Sequence, residues 1–304
     1  MSKSEKPSIG GLLAEAFTSL FKKNPPLLQT EVVYQKLELP TGKSMAYVAA
    51  GILLALLTFT LAVYATGVSW IAYMLFTASL PALFFIWAVL TDRYEPEPKY
   101  LLLMAFGLGM LCGYIEDTML MNIPLGTLMP IARGVLDPIF MFMPLYFIAA
   151  SSVTGREFND HMDGIVYGMA VSLGFITVFN YGLASLAASL SGLFELGAPF
   201  AAALLLNTAL AFIGAIMGRW LGWVKVKVAG LGIAVALPGL ITAIVLRLIY
   251  GAAGMVEASV GGVNVVQLIL AVLLGLCVYK YSREALRDEV LWGYARGLAP
   301  VERG

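Results

Sequence analysis

Eight apolar stretches, each long enough or nearly so to cross a bilayer that takes about 20 helical residues, leave this chain little choice of fold. They run over residues 46–66, 68–91, 100–117, 127–150, 163–189, 198–223, 229–251 and 264–281. In hydrocarbon each backbone amide must be satisfied within its own segment, so every stretch is expected to be an α-helix. The sequence is 60% hydrophobic and only 12% charged, far outside soluble-protein usage. The expected class is all-α: a polytopic membrane bundle of about eight transmembrane helices. The third span is expected to close early, at Glu116 and Asp117, and the seventh to follow the sixth after a short basic turn.

The basic residues predict the orientation. With the N-terminus inside, all but two of the 19 Lys and Arg fall in cytoplasmic segments or at the cytoplasmic ends of spans, and the exceptions are Arg133 and Arg247, in the outward halves of predicted spans. The outward loops carry only Glu116, Asp117, Glu195 and Glu257. This is the asymmetry of the positive-inside rule, and an even number of spans puts both termini in the cytoplasm. The first apolar run begins near Met45, too far in for a cleaved signal peptide. Zero net charge without an exposed basic cluster argues against nucleic acid as a partner.

Three regions follow. Residues 1–45 form an N-terminal extension in which Ile9, Leu12, Leu13, Ala16, Phe17, Leu20 and Phe21 recur at helical spacing, ended by Asn24-Pro25-Pro26. This amphipathic helix is expected to lie on the inner membrane face, with docking to a partner protein as the sharper alternative. Residues 46–281 form the bundle, and residues 282–304 a tail with Leu286, Val290 and Tyr294 on one face. Small residues at every fourth position, Gly109 and Gly113, Gly164, Gly168 and Ser172, and Gly214, Gly218 and Gly222, predict close helix–helix seams. Trp70, Trp220, Trp223 and Trp292 suit an interfacial belt, and Cys112 and Cys277 read as small apolar residues inside spans.

Within the fourth span Arg133 and Asp137 stand one helical turn apart, on the same face, where they can neutralise each other. Charges in hydrocarbon cost about 3 kcal/mol each on insertion scales, so they face a protein interior and carry a role. Arg247 near the outward end of its span could reach Glu116, Asp117 or Glu257, or reach out to the interface. Asn180 and Asn207 are amides in apolar helices, suited to inter-helical hydrogen bonds. Asp163 is expected to cap the fifth helix, and His161, the one histidine, to be a solvated loop residue.

Two motifs are more specific. One is the turn Asp92-Arg93-Tyr94-Glu95-Pro96-Glu97-Pro98-Lys99, read as an interfacial elbow in contact with Arg156 or Lys227; the other runs from Arg156-Glu157-Phe158-Asn159 through Asp163-Gly164-Ile165-Val166-Tyr167-Gly168 to Gly174-Phe175. Together they resemble the PrsW family of bacterial intramembrane proteases, over roughly residues 70–225. The resemblance implies a location in the bacterial inner membrane, and it implies glutamate-dependent peptidase chemistry in the family at large.

Between the motifs the family carries P-x-x-E-E-x-x-K. Here Pro130 is present, but the paired glutamates fall on Arg133 and Gly134 and the lysine on Asp137. The family's glutamate-asparagine falls on Phe179-Asn180, and its histidine on Asn207. By this matching the catalytic set is gone, leaving a degenerate pocket of Arg133, Gly134, Asp137, Phe179, Asn180 and Asn207. Peptide hydrolysis needs a group that activates water and another that protonates the leaving amine, and a zinc route needs three protein ligands. No cofactor is expected. The favoured expectation is a non-catalytic relative that binds other transmembrane segments as scaffold, adaptor or assembly subunit, with lipids and membrane proteins as partners. The alternatives are a protease using Asp137 with Glu116 or Asp117, and a transporter or channel subunit with a polar path along Arg133, Asp137, Asn180, Asn207 and Arg247.

Overall fold

The computed structural model describes residues 8–22, 70–92, 97–187, 193–228, 231–260 and 263–295. These form α1 (Ile9–Phe21), α2 (Trp70–Thr91), α3 (Lys99–Met121), α4 (Met129–Ala150), α5 (His161–Ala187), α6 (Leu193–Val228), α7 (Ile233–Ala253) and α8 (Val265–Ala295). A hairpin of two-residue strands, β1 (Ser259–Val260) and β2 (Val263–Asn264), joins α7 to α8 with Ser259 opposite Asn264. Among the described residues six segments are long and apolar enough to cross a membrane: Lys99–Met121, Gly126–Ala150, His161–Phe179, Phe200–Lys227, Ile233–Ala253 and Val265–Asp288. The first sequence-predicted span, 46–66, lies outside the described residues. The second falls on α2, a 22-residue apolar helix from Trp70 to Thr91.

The centre of the bundle is α5, flanked by α6, α3 and α2. The small-residue rows produce this arrangement. Gly164 and Gly168 of α5 lie against the backbone carbonyls of Gly218 and Gly214 of α6, and a methyl group on any of the four would overlap the opposing chain. Gly222 meets the carbonyl of Asp160 in the same way. On the other side of α5, Gly109 and Gly113 of α3 face the backbone at Val171 and Phe175, while Gly174 faces Phe106. In lipid such close backbone approach is what lets helices associate, because apolar side chains gain nothing by leaving one hydrocarbon for another. Large side chains fill in around the seams: Met141, Leu145, Ile165, Met169, Phe175, Leu210 and Met217 belong to one continuous core.

Several local expectations are corrected. The third helix does not stop at Glu116 and Asp117 but continues to Met121, because both acids find surroundings inside the bundle. The tail from Ser282 is not a separate amphipathic helix: α8 runs unbroken from Val265 to Ala295. Asp160, not Asp163, is the N-cap of α5, accepting the amides of Met162 (2.6 Å) and Asp163 (3.0 Å). Asp163 reaches back to the amides of Asn159 (2.6 Å) and Asp160 (2.9 Å), the reciprocal pattern of a capping box. His161 is not solvated; it is 2% exposed, with Nε2 3.3 Å from the Asp288 carboxyl of α8.

Helix α1 docks on its own chain. Ser8 caps it through the Gly11 amide, and Leu12 and Ala16 pack on Trp220, Trp223 and Val224 of α6. Those two tryptophans are therefore buried rather than part of an interfacial belt, and Trp220 donates to the Val235 carbonyl at 3.0 Å. Glu15 pairs with Lys227 at 2.7 Å, Ser19 bonds the Tyr281 hydroxyl at 2.9 Å, and Lys280 donates to the Ser19 carbonyl at 2.5 Å. Beneath α1, the guanidinium of Arg219 is buried over the Tyr281 ring, 4.3 Å from its centroid, with Glu284 at 3.9 Å. Cys112 and Cys277 are both free thiols.

The seam yields a direct test. Gly218→Leu, which forces a side chain into the α5 backbone, is expected to destabilise the detergent-solubilised protein by about 1–3 kcal/mol or prevent its assembly. Gly10→Ala, where the added Cβ meets nothing within 4 Å, is expected to leave thermal unfolding unchanged or slightly raised. Equal melting curves for the two variants would remove the seam from the argument.

Candidate functional site

The polar residues of the bundle gather in two places, near opposite ends of α3 and α5. At the Met121 end of α3, three helices contribute charge. Asp137 of α4 is fully buried and accepts a hydrogen bond from Nε of Arg247 on α7 at 2.7 Å. Arg133, one turn earlier on α4, turns away from Asp137 and pairs with Asp117 of α3 at 2.8 Å. Its guanidinium lies over the Phe179 ring of α5, 4.6 Å from the centroid. Glu116 of α3 is 1% exposed, and its carboxyl lies against that of Asp137 with no donor on either of its oxygens among the described residues.

The sequence expectation that Arg133 and Asp137 neutralise each other is therefore wrong. Spacing of i and i+4 puts two side chains on one face, but partners from neighbouring helices have taken both. Arg247 satisfies neither Glu257 nor the membrane interface; it closes on Asp137. Gly134, on the position matched to the second glutamate, lets α4 approach α7: a methyl there would strike the Leu248 side chain. Pro138 directly follows Asp137, so the Gly134 carbonyl loses its helical donor at this point of α4. Asn207 donates to the Thr77 carbonyl of α2 at 2.9 Å. The side chain of Asn180 lies outside the described residues.

The second gathering is built from the two motifs. Asp92 at the end of α2, Glu97 just before α3 and Asp163 in the first turn of α5 bring carboxyl oxygens within 4.8 Å of one another. Tyr167, one turn along α5, donates its hydroxyl to Glu97, and its ring stacks on Phe158 at 5.6 Å. Pro98 occupies the N-cap position of α3 and fixes the entry of the chain behind Glu97. Arg93, Tyr94, Glu95 and Pro96 lie outside the described residues. Glu97 is held by Tyr167 and Asp163, and Lys227 pairs with Glu15 rather than with the turn; the side chain of Arg156 lies outside the described residues. Lys225 of α6 closes this end by donating to the carbonyls of Ala149 (2.8 Å), Gly155 (2.5 Å) and Phe158 (2.8 Å).

Three carboxyl oxygens at this spacing are what a hard divalent cation requires. In this structure, however, the oxygens already serve the fold: Asp163 holds two backbone amides and Glu97 the tyrosine. Burial pushes Glu97 up to about 7, against the lowering by its bonds to Asp163 and Tyr167. Burial, reinforced by Asp163, likewise pushes Asp160 up to about 7, with His161 and the Asp163 and Met162 amides pulling the other way. The cluster thus ties the α2–α3 turn to the start of α5 and retains protons while doing so.

The long apolar helices and the buried polar interior define a multi-pass α-helical membrane protein. Protease PrsW of Bacillus subtilis (strain 168) is 29% identical over 170 residues, taking in 50% of this chain and 71% of that protein. This similarity agrees with the resemblance to the PrsW family that the two motifs carry. No family model matches it, and no solved structure does.

Sequence reasoning missed three features of the site: the contact of Glu116 with Asp137, the choice of Arg247 as the partner of Asp137, and the cluster of Arg219, Glu284, His161 and Asp288. The available signal was the presence of charges on matching levels of apolar helices, which names candidates without pairing them.

A pH dependence follows from the second gathering. The folded protein holds protons on Glu97 and Asp160 up to about pH 7, whereas the unfolded chain releases them near 4.5 and 3.8. Between those limits the native state binds more protons, so stability falls as pH rises from about 5 to about 8. Thermal unfolding in detergent across that range is expected to show the fall, and Glu97→Gln, which cannot ionise, to make it shallower, with the Asp160 contribution remaining. A wild-type stability that rises with pH would contradict the arrangement.

Proposed function

We propose that this protein is a PrsW-family membrane protein that does not cleave peptides and instead binds other transmembrane segments, as a scaffold or assembly subunit in the bacterial inner membrane. Both termini lie on the cytoplasmic side in this reading, as the distribution of Lys and Arg suggests. One observation carries it. The positions matched to the family's paired glutamates and lysine are consumed by the fold: Arg133 by Asp117, Gly134 by Leu248 and Asp137 by Arg247. A general base must be within reach of a water and free to take its proton. Asp137, fully buried and bound to a guanidinium, is placed for register rather than for that task. The faces of α3 and α8 that carry Leu103, Leu111, Leu273 and Leu276 are exposed and apolar, offering surface to lipid and to partner helices.

A second reading has an observation of its own. Glu116 and Asp137 form a buried carboxyl pair, and two carboxyls in contact are a known means of dividing acid and base roles. In that reading the protein is a protease with an acid pair outside the family's pattern. The transporter reading loses ground because Asn207 serves α2.

Purified protein reconstituted in vesicles with a single-span membrane protein as substrate separates the two. No cleavage above that of empty vesicles is expected. Cleavage that disappears in both Glu116→Gln and Asp137→Asn would establish the second reading. A photo-crosslinking side chain at Leu111 is expected to capture a membrane protein in cells; adducts with lipid alone would contradict the binding role.

A further inference from the structure

We infer that Glu116 and Asp137 together form a binding site for one proton, carried on Glu116 and donated to Asp137. The inference assigns a ligand to the buried cluster and holds under either reading of function.

The first ground is the balance of charge. Around Glu116 stand Asp117 on its own helix, Arg133 and Asp137 from α4, and Arg247 from α7. From α5, the segments facing α3 are Val171 and Phe175, which carry no titratable group. Arg133 is committed to Asp117 at 2.8 Å and Arg247 to Asp137 at 2.7 Å. Two guanidinium groups are thus matched to two aspartates, and the third carboxyl, Glu116, is left without a counter-charge of its own. It is 1% exposed, in the interior of a membrane-spanning helix, where an uncompensated charge is strongly disfavoured.

The second ground is hydrogen bonding. Both oxygens of Glu116 and Oδ1 of Asp137 are buried and receive no donor among the described residues. The two carboxyls nevertheless touch. Ionised carboxylates can only accept, so their contact is repulsive until one of them carries a proton. A single proton removes the conflict. The protonated Glu116 hydroxyl donates to Asp137 Oδ1, while Asp137 Oδ2 keeps Arg247. Asp137 retains the negative charge because it is the carboxyl directly bonded to a guanidinium. The core then contains two ion pairs and one neutral acid, with no net charge. The direct contact between carboxyls also favours a proton over a larger cation.

The test uses the full-length protein in lipid vesicles at neutral pH. The infrared spectrum is expected to contain a protonated-carboxyl carbonyl band that moves in deuterium oxide and is absent from Glu116→Gln, while Glu97→Gln removes a different band. Glutamine keeps an N–H donor for Asp137, so Glu116→Gln is expected to unfold within a few degrees of wild type. Glu116→Leu, which has no donor, is expected to unfold earlier. An unchanged band in Glu116→Gln would overturn the inference. So would a Glu116→Gln protein that fails to accumulate or unfolds far below wild type, since that is the behaviour of an ionised glutamate paired with arginine. Exchanging sodium chloride for choline chloride at equal ionic strength is expected to leave wild-type melting unchanged. A sodium-dependent rise that vanishes in Glu116→Gln identifies a metal cation instead and also overturns it.

Discussion

The rest of the bundle depends on how closely α5 can approach its neighbours. Gly164 and Gly168 meet Gly218 and Gly214 with backbone against backbone, and Gly109, Gly113 and Gly174 do the same towards α3. Helices in hydrocarbon have no solvent-driven reason to associate, so contact must come from dispersion at short range and from polar groups that cannot face lipid. Once α5 is seated between α3 and α6, the positions of α4, α7 and α8 around them are narrowly limited. The capping box at Asp160 and Asp163 fixes where α5 begins, and Lys225 fixes the turn ahead of it.

Polar chemistry is built on that frame. At one end the family motifs become a knot of Asp92, Glu97, Asp163 and Tyr167 that holds two turns together. At the other, Arg133, Asp117, Asp137, Arg247 and Glu116 join α3, α4 and α7. Buried ion pairs gain little net stability over apolar replacements, but removing one partner is costly, so such pairs set register. At this level of the bundle the charges serve as cross-helix pairs.

Spacing made the seams legible: glycines at every fourth position on two consecutive spans predicted their own contact. The class of protein was equally plain from the runs of apolar residues. Pairing was not legible. Arg133 and Asp137 are one turn apart, yet their partners come from Asp117 on α3 and Arg247 on α7, and local spacing carries no information on either. Glu116 and Asp117 looked like the end of a helix because isolated charge is costly in lipid. The helix passes through them because neither is isolated. His161, Trp220 and Trp223 were read as surface residues on residue type alone, and α1 and α8 cover them.

The central claim is that Asp137 is a structural partner of Arg247. A double-mutant cycle with Asp137→Asn, Arg247→Gln and the double variant, read by thermal or denaturant unfolding in a fixed detergent, measures that directly. The account predicts a coupling energy of about 2–3 kcal/mol, with the double variant more stable than the sum of the two single losses allows. Additive losses, with no coupling between the two positions, would contradict it.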